Sequence, residues 1–245
     1  MSHDLTRRAS AEFAGTALLV AAVVGSGIAA ARLSPGDVGL QLLENAIATG
    51  FALGALILVF GPVSGAHLNP VVSAVDWWLG RRAGAGLTVP DLAAYIAAQV
   101  TGAIAGSVLA NLMFDLPGVA WSHTDRSGGN LWLAEIVATA GLVVLIFALA
   151  RSGRTATAPA AVGAYIGAAY WFTSSTSFAN PAATVGRTFT DTFAGIAPTS
   201  MPGFVVAQFI GGLVGVTALA AWYPRAGDAA DEVLVPHLAQ EPEAR

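Results

Sequence analysis

Asn69-Pro70 and Asn180-Pro181 are the residues of this chain whose types and placement best suit a chemical task. Proline at the first helical position has no N–H to waste and a φ already suited to a helix. Asparagine before it is a good N-cap. Each pair therefore predicts a helix start with an amide at its tip. Each lies in a long uncharged stretch, residues 45–75 and 155–186. Two such tips meeting would aim two positive dipole ends and two amide donors at one point. Such a site repels cations and holds the oxygen atoms of neutral polar solutes.

Other groups are poorly arranged for a reaction. There is no cysteine, hence no thiol nucleophile, thiolate metal site or disulfide. Ser64, Ser73 and the serines at 174, 175 and 177 share no expected site with a second histidine that could serve as base, so no enzyme is expected. His3, His123 and His237 fall in expected exposed segments and make no metal constellation. No cofactor or metal is expected. Glu12 and Glu135 open apolar helices, where a structural role, hydrogen bonding to loop backbone, is expected.

The elements that must position the two Asn-Pro pairs are apolar. Of 245 residues, 55% are apolar and 11% charged, with a mean hydropathy of +0.66. Soluble domains carry about 25% charged residues, so a soluble globular protein is excluded, as is a disordered one. All 11 basic residues are arginines, in no basic block, and the net charge is −4, which gives nucleic acid nothing to bind. A spanning helix needs roughly 20 apolar residues. Six spans are expected, near 10–31, 41–61, 91–114, 131–150, 159–176 and 203–223, with half-helices starting at the two Asn-Pro pairs. A half-helix from Pro70 to about Leu79 would be ~15 Å long, half of a hydrocarbon core of about 30 Å. Irregular backbone at that depth must be buried or line a watery path, so residues 61–68 and 174–179 are expected to line a pore with their carbonyls.

The halves repeat each other. Glu12 and Thr16 match Glu135 and Thr139; Gly50 and Gly54 match Gly163 and Gly167; Gln99, Gly102 and Gly106 match Gln208, Gly211 and Gly215. Three spans per half force the second half to enter from the opposite side, an inverted repeat. The fold class is therefore an all-α membrane protein with six transmembrane helices and two re-entrant half-helices in an inverted 3+3 arrangement. The glycine pairs are read as helix-packing sites.

The segments Ser64-Gly65-Ala66-His67-Leu68-Asn69-Pro70-Val71 and Phe178-Ala179-Asn180-Pro181-Ala182 resemble the paired NPA boxes of the aquaporin, or major intrinsic protein, family, a resemblance covering roughly residues 9–223. It implies one pore per subunit, a homotetramer in the bilayer, and passive conduction of water, glycerol or other small neutral solutes without cofactor. The first box carries Val71 where the pattern has alanine, adding bulk at the tip contact. Counting from the two asparagines places the outer selectivity filter at Thr49, Ala168, Ser177 and Ala183, all small and uncharged, where water-selective members carry an aromatic residue, histidine and arginine. Arg187 lies one turn beyond Ala183, and either reaches toward the constriction or pairs with Asp191. His67, two before Asn69, is a candidate for the pore surface. The run from Phe178 to Ile196 resembles a bacterial branch associated with arsenite and related uncharged solutes. Strict water selectivity stays open as an alternative, as does a secondary transporter, although no coupling carboxylate is placed at the midplane.

Arginine placement sets the orientation. With a cytoplasmic N-terminus, Arg7, Arg8, Arg81, Arg82, Arg151, Arg154, Arg225 and Arg245 lie inside and only Arg32 and Arg126 outside, with Arg187 unassigned. Residues 1–8 are read as a cytoplasmic N-terminus, 9–223 as one channel domain, with repeats at about 9–114 and 131–223, and 224–245 as a polar cytoplasmic tail. The run after Arg7 and Arg8 is too long for a typical signal-peptide core, so a retained first helix in the inner membrane is expected. Replacing Asn180 by leucine is expected to lower solute flux in stopped-flow vesicle assays markedly. Unchanged flux through a well-folded Asn180→Leu channel contradicts the site.

Overall fold

The computed structural model describes residues 3–223, and the expected tail at 224–245, with Arg225, His237 and Arg245, lies outside the described residues. Among the described residues the regular structure is helical. In chain order it comprises α1 (His3–Leu33), α2 (Val38–Ser64), α3 (Pro70–Ala83), α4 (Val89–Met113), α5 (Gly129–Arg151), α6 (Ala158–Phe172), α7 (Pro181–Gly186) and α8 (Met201–Trp222), with short 3₁₀ turns at Thr155–Thr157 and Arg187–Phe189.

Helices α1, α2, α4, α5 and α8 are long and apolar enough to cross a membrane. Helix α6 has 15 residues, about 22 Å at ~1.5 Å per residue, so the span expected at 159–176 ends early. Its stop is local: Thr173 is extended, and the Ser175 hydroxyl is drawn away to Glu135. Helix α2 runs longer than expected, through Pro62 to Ser64, until left-handed Gly65 closes it. Residues 61–64 are therefore helical, and the irregular stretch before the first Asn-Pro pair shrinks to 65–69. Both half-helices begin at the expected prolines. α3 has 14 residues; α7 has only 6 before it tightens into the 3₁₀ turn.

The inverted repeat pairs α1 with α5, α2 with α6, α3 with α7 and α4 with α8. Packing follows it: α1 lies along α4 as α5 lies along α8, α2 crosses α6 between the halves, and α3 and α7 each touch both α4 and α8. The matched glycines sit where backbones meet. A Cβ on Gly102 or Gly106 would strike the carbonyls of Phe13 and Ala17, and one on Gly211 or Gly215 those of Ile136 and Ala140. A Cβ on Gly50 would lie 2.8 Å from the Gly163 carbonyl. In a membrane, where helices gain little from apolar burial against one another, such close approach is the main source of association. Gly61, also helical, faces open space. Gly215→Leu is expected to lower the thermal unfolding midpoint in detergent, because overpacking costs about 1–3 kcal/mol or more. Gly61→Ala is expected to leave it equal or higher, since alanine in a helix gains about 0.5–1 kcal/mol over glycine.

Candidate functional site: a passage between two half-helices

The two carboxylates expected to have a structural role organise the two loops before α3 and α7. Glu12 accepts hydrogen bonds from the Ser64 hydroxyl at 2.6 Å, the His67 N–H at 2.9 Å, the Leu68 N–H at 2.7 Å and the Gln99 amide at 2.8 Å. Glu135 accepts the repeat-related set: the Ser175 hydroxyl at 2.6 Å, Phe178 N–H at 2.9 Å, Ala179 N–H at 2.8 Å and Gln208 at 2.6 Å. Both glutamates are fully buried. In a planar trans peptide the carbonyl points opposite to the following N–H. With the N–H groups of 67 and 68 aimed at Glu12, the carbonyls of Ala66 and His67 must aim away from it. The same holds for Ser177 and Phe178 about Glu135. The backbone twists to allow this: Ala66, Leu68, Thr176, Ser177 and Ala179 all have φ between 47° and 62°, a region costly for residues other than glycine.

The Asn-Pro tips interlock. Asn69 Nδ2 donates to the Ala179 carbonyl and Asn180 Nδ2 to the Leu68 carbonyl, each at 2.7 Å. Their side-chain oxygens cap the half-helices, Asn69 accepting from Val71 N–H and Asn180 from Ala182 and Ala183 N–H. An amide nitrogen carries two hydrogens, so each asparagine retains one, and both side chains line a cavity. That cavity reaches from Thr155 and Ala158 at the α3 end, past both asparagines, to Ser177 and Arg187 at the α7 end. Pro70, Pro181 and Ala182 form the first turns behind the asparagines. Val71 does not add bulk at the tip as expected. It packs away from the cavity with Val75, Val143 and Phe147, in the space left by Gly212 of α8, where a Cβ would lie 2.7 Å from Val71 Cγ1.

Of the four counted filter positions, Thr49, Ser177 and Ala183 line the cavity and Ala168 does not. Ala168 is on the exposed face of α6. Val162, Ile166 and Tyr170 form the inner face, and Ala168 is about 200° around the helix from its neighbours in that series. Tyr170 stands where the count placed Ala168, its hydroxyl 3.2 Å from Thr49 Oγ1. The Arg187–Asp191 pair does not form either. The helix gives way to the 3₁₀ turn at Arg187, which destroys i,i+4 geometry, and Asp191 instead accepts from the N–H and ring of exposed His123, each at 3.0 Å. These two bonds hold the Asp191 carboxyl below the usual carboxylate range.

Arg187 is 3% exposed. Its guanidinium lies 3.4 Å from the Phe178 ring centroid, and its Nε donates to the Ala194 carbonyl. Arg126 approaches the same ring at 5.3 Å and donates to the carbonyls of Gly195 and Phe193. Among the described residues no carboxylate lies within 4.0 Å of either guanidinium. The α7 end thus carries a cation outside any ion pair among the described residues, an aromatic face and three small residues. At the α3 end His67 lines the cavity, its Nδ1 3.0 Å from Ser73 Oγ and its ring edge-on to Tyr95. Tyr170, Phe178 and Arg126 were not singled out from sequence. Phe178 had a signal there, because it precedes Asn180 by two residues as His67 precedes Asn69.

Amide donors, an imidazole and apolar walls together line one cavity between the two half-helices. Glu12→Gln, which turns a donor toward N–H groups, is expected to unmake two or more buried hydrogen bonds at about 1–3 kcal/mol each. Solute flux and the thermal midpoint of the purified protein should both fall. An unaltered midpoint would show that the carboxylate does not hold the loop.

Residues 1–179 match the family model described as major intrinsic protein. The chain is 54% identical over 219 residues to aquaglyceroporin AqpS of Rhizobium meliloti (strain 1021), covering 89% of this chain and 91% of that protein. It is 31% identical to aquaporin AqpM of Methanothermobacter marburgensis, over 90% of this chain and 97% of that one. An aquaglyceroporin from Plasmodium falciparum, of solved structure, shares the fold with a TM-score of 0.68 at 22% identity, over 91% and 98% of the two chains. The chain is a member of the major intrinsic protein family, whose members are membrane channels and not enzymes.

Proposed function

We propose that the protein is a passive channel for small uncharged hydroxylated solutes: water, glycerol and neutral metalloid acids such as arsenite. The observation that carries this reading is the composition of the cavity wall. Most of it is apolar, including Leu53, Ile57, Leu142, Ile146, Val162 and Ile166, and a smaller polar part comes from Thr49, His67, Asn69, Tyr170, Asn180 and Arg187. A polyol has the same division between carbon skeleton and hydroxyl groups, and arsenite offers three hydroxyls on a compact centre. The high identity to a protein named aquaglyceroporin supports glycerol in particular.

Arg187 and the half-helix tips make the path unfavourable for cations. With alanine at 183 and the guanidinium held on Phe178 one turn further out, the α7 mouth is wider than an arginine at 183 would leave it. Thr49, Ser177 and Ala183 give this mouth small walls opposite Tyr170, which favours solutes larger than water. By arginine placement the α3 end faces the cytoplasm, with Arg7, Arg8, Arg151 and Arg154 inside and Arg32 and Arg126 outside the inner membrane. The exposed apolar faces, including Phe51 and Leu58 of α2, are assigned to lipid and to neighbouring copies in a homotetramer.

Stopped-flow measurements on one proteoliposome preparation are expected to show water, glycerol and arsenite flux down their own gradients, unaffected by collapsing ion gradients. Dependence on an ion gradient would make the protein a transporter, and exclusion of glycerol would make it a water channel. Thr49→Phe combined with Ala183→Arg is expected to reduce glycerol and arsenite flux far more than water flux, after folding has been verified.

A further inference from the structure

We infer that Ser73 is a positioning residue that fixes the tautomer of His67, so that the imidazole presents Nε2–H to the passage. Glu12 Oε1 accepts from the Ser64 hydroxyl and the His67 N–H, and Oε2 accepts from the Leu68 N–H and Gln99. The Ser64 hydroxyl and the His67 and Leu68 N–H groups all point hydrogens at this carboxylate, as suits an ionised acceptor. Gln99 faces it with its NH₂, Nε2 lying 2.8 Å from Oε2, because its amide oxygen has nothing to donate to a carboxylate. That orientation decides the next link. The same NH₂ gives its second hydrogen to Ser73 Oγ at 2.9 Å.

Ser73 thus accepts from Gln99, and its single hydroxyl hydrogen is directed to His67 Nδ1, 3.0 Å away. With Nδ1 an acceptor, the neutral ring carries its hydrogen on Nε2. Nε2 has no protein partner among the described residues, and the ring lines the cavity. The second repeat serves as an internal control. Gln208 donates to Glu135 and to Thr184 Oγ1, as Gln99 does to Glu12 and Ser73. The ring there is Phe178, which accepts nothing in its plane, and Thr184 Oγ1 returns its hydrogen to the Asn180 carbonyl at 2.8 Å. The two repeats share one relay of carboxylate, amide and hydroxyl, and only the first ends on an imidazole.

The consequence is a third donor in the passage, besides the two asparagines. Solutes meet His67 oxygen-first, and the ring offers no lone pair to take a proton from pore water. This rests on the channel reading only for its meaning; the tautomer itself is read without any flux measurement.

The test is ¹⁵N NMR of histidine-labelled protein in lipid at neutral pH, with the His67 signals identified by their loss in His67→Asn. The expected native spectrum has a protonated Nε2 and a bare Nδ1. Ser73→Thr, which places in the first repeat the residue found at 184 in the second, is expected to keep that spectrum. Ser73→Ala is expected to lose it, with Nδ1–H appearing. An Nδ1–H or doubly protonated ring in the native protein overturns the inference, as does an unchanged tautomer in a folded Ser73→Ala. The native spectrum decides even where Ser73→Ala does not fold. Failure of glycerol flux in the same vesicles would instead count against the channel reading.

Discussion

Two buried carboxylates that form no ion pair among the described residues set the shape of the passage. Burying an ion costs several kcal/mol, and each hydrogen bond to a charged group returns about 1.5–3 kcal/mol. Glu12 and Glu135 each collect four. The bonds that solvate the charge are the same ones that turn the loop N–H groups toward the glutamates and the preceding carbonyls away from them. The left-handed residues in both loops are held in place by this arrangement. A neutral group at either position could fill the volume, but it would not make the backbone choose a side.

The two ends then differ in what the symmetric frame presents. At the α3 end the residue two before asparagine is His67, with Tyr95 against it and the Tyr95 hydroxyl on the Ser64 carbonyl. At the α7 end it is Phe178, covered by Arg187. A desolvated cation–π contact contributes about 2 kcal/mol or more, enough to hold an arginine that has no carboxylate partner. The frame comes from the duplication, and the chemistry of each mouth from single residues set on it.

Much of this was legible in the sequence, for physical reasons. The half-helix starts could be read because proline and asparagine act on local backbone. The helix contacts could be read because a close backbone approach demands a small residue at a fixed spacing, as at Gly102 and Gly211. The structural role expected for Glu12 and Glu135 corresponds to bonds whose loop partners, Leu68 and Ala179, were not identifiable beforehand. Positions counted across an irregular connection were less secure. Ala168 was reached by counting back through residues 173–179, and that stretch does not keep helical register, so the inner face of α6 carries Tyr170 instead. Arg187 and Asp191 would be neighbours only on a continuing helix, and α7 stops after six residues. The bulk expected of Val71 at the tip contact is taken up by the space at Gly212, a complement that local sequence does not reveal.

The crossed bonds between the two Asn-Pro tips also bear on how the protein is made. The Asn69 amide donates to the carbonyl of Ala179, 110 residues later, and Asn180 donates to the Leu68 carbonyl. At about 5–20 residues per second of synthesis, the first re-entrant loop waits for roughly 5–20 seconds before its partner emerges. The second loop in turn needs Gln208, in the last helix, to complete the shell around Glu135. Neither half reaches its final form alone, so the bilayer must shelter a half-built, polar-cored intermediate until nearly the whole chain has left the ribosome. Truncation anywhere before α8 would leave membrane-inserted helices with an unfinished centre, a species suited to quality-control proteases and not to partial function.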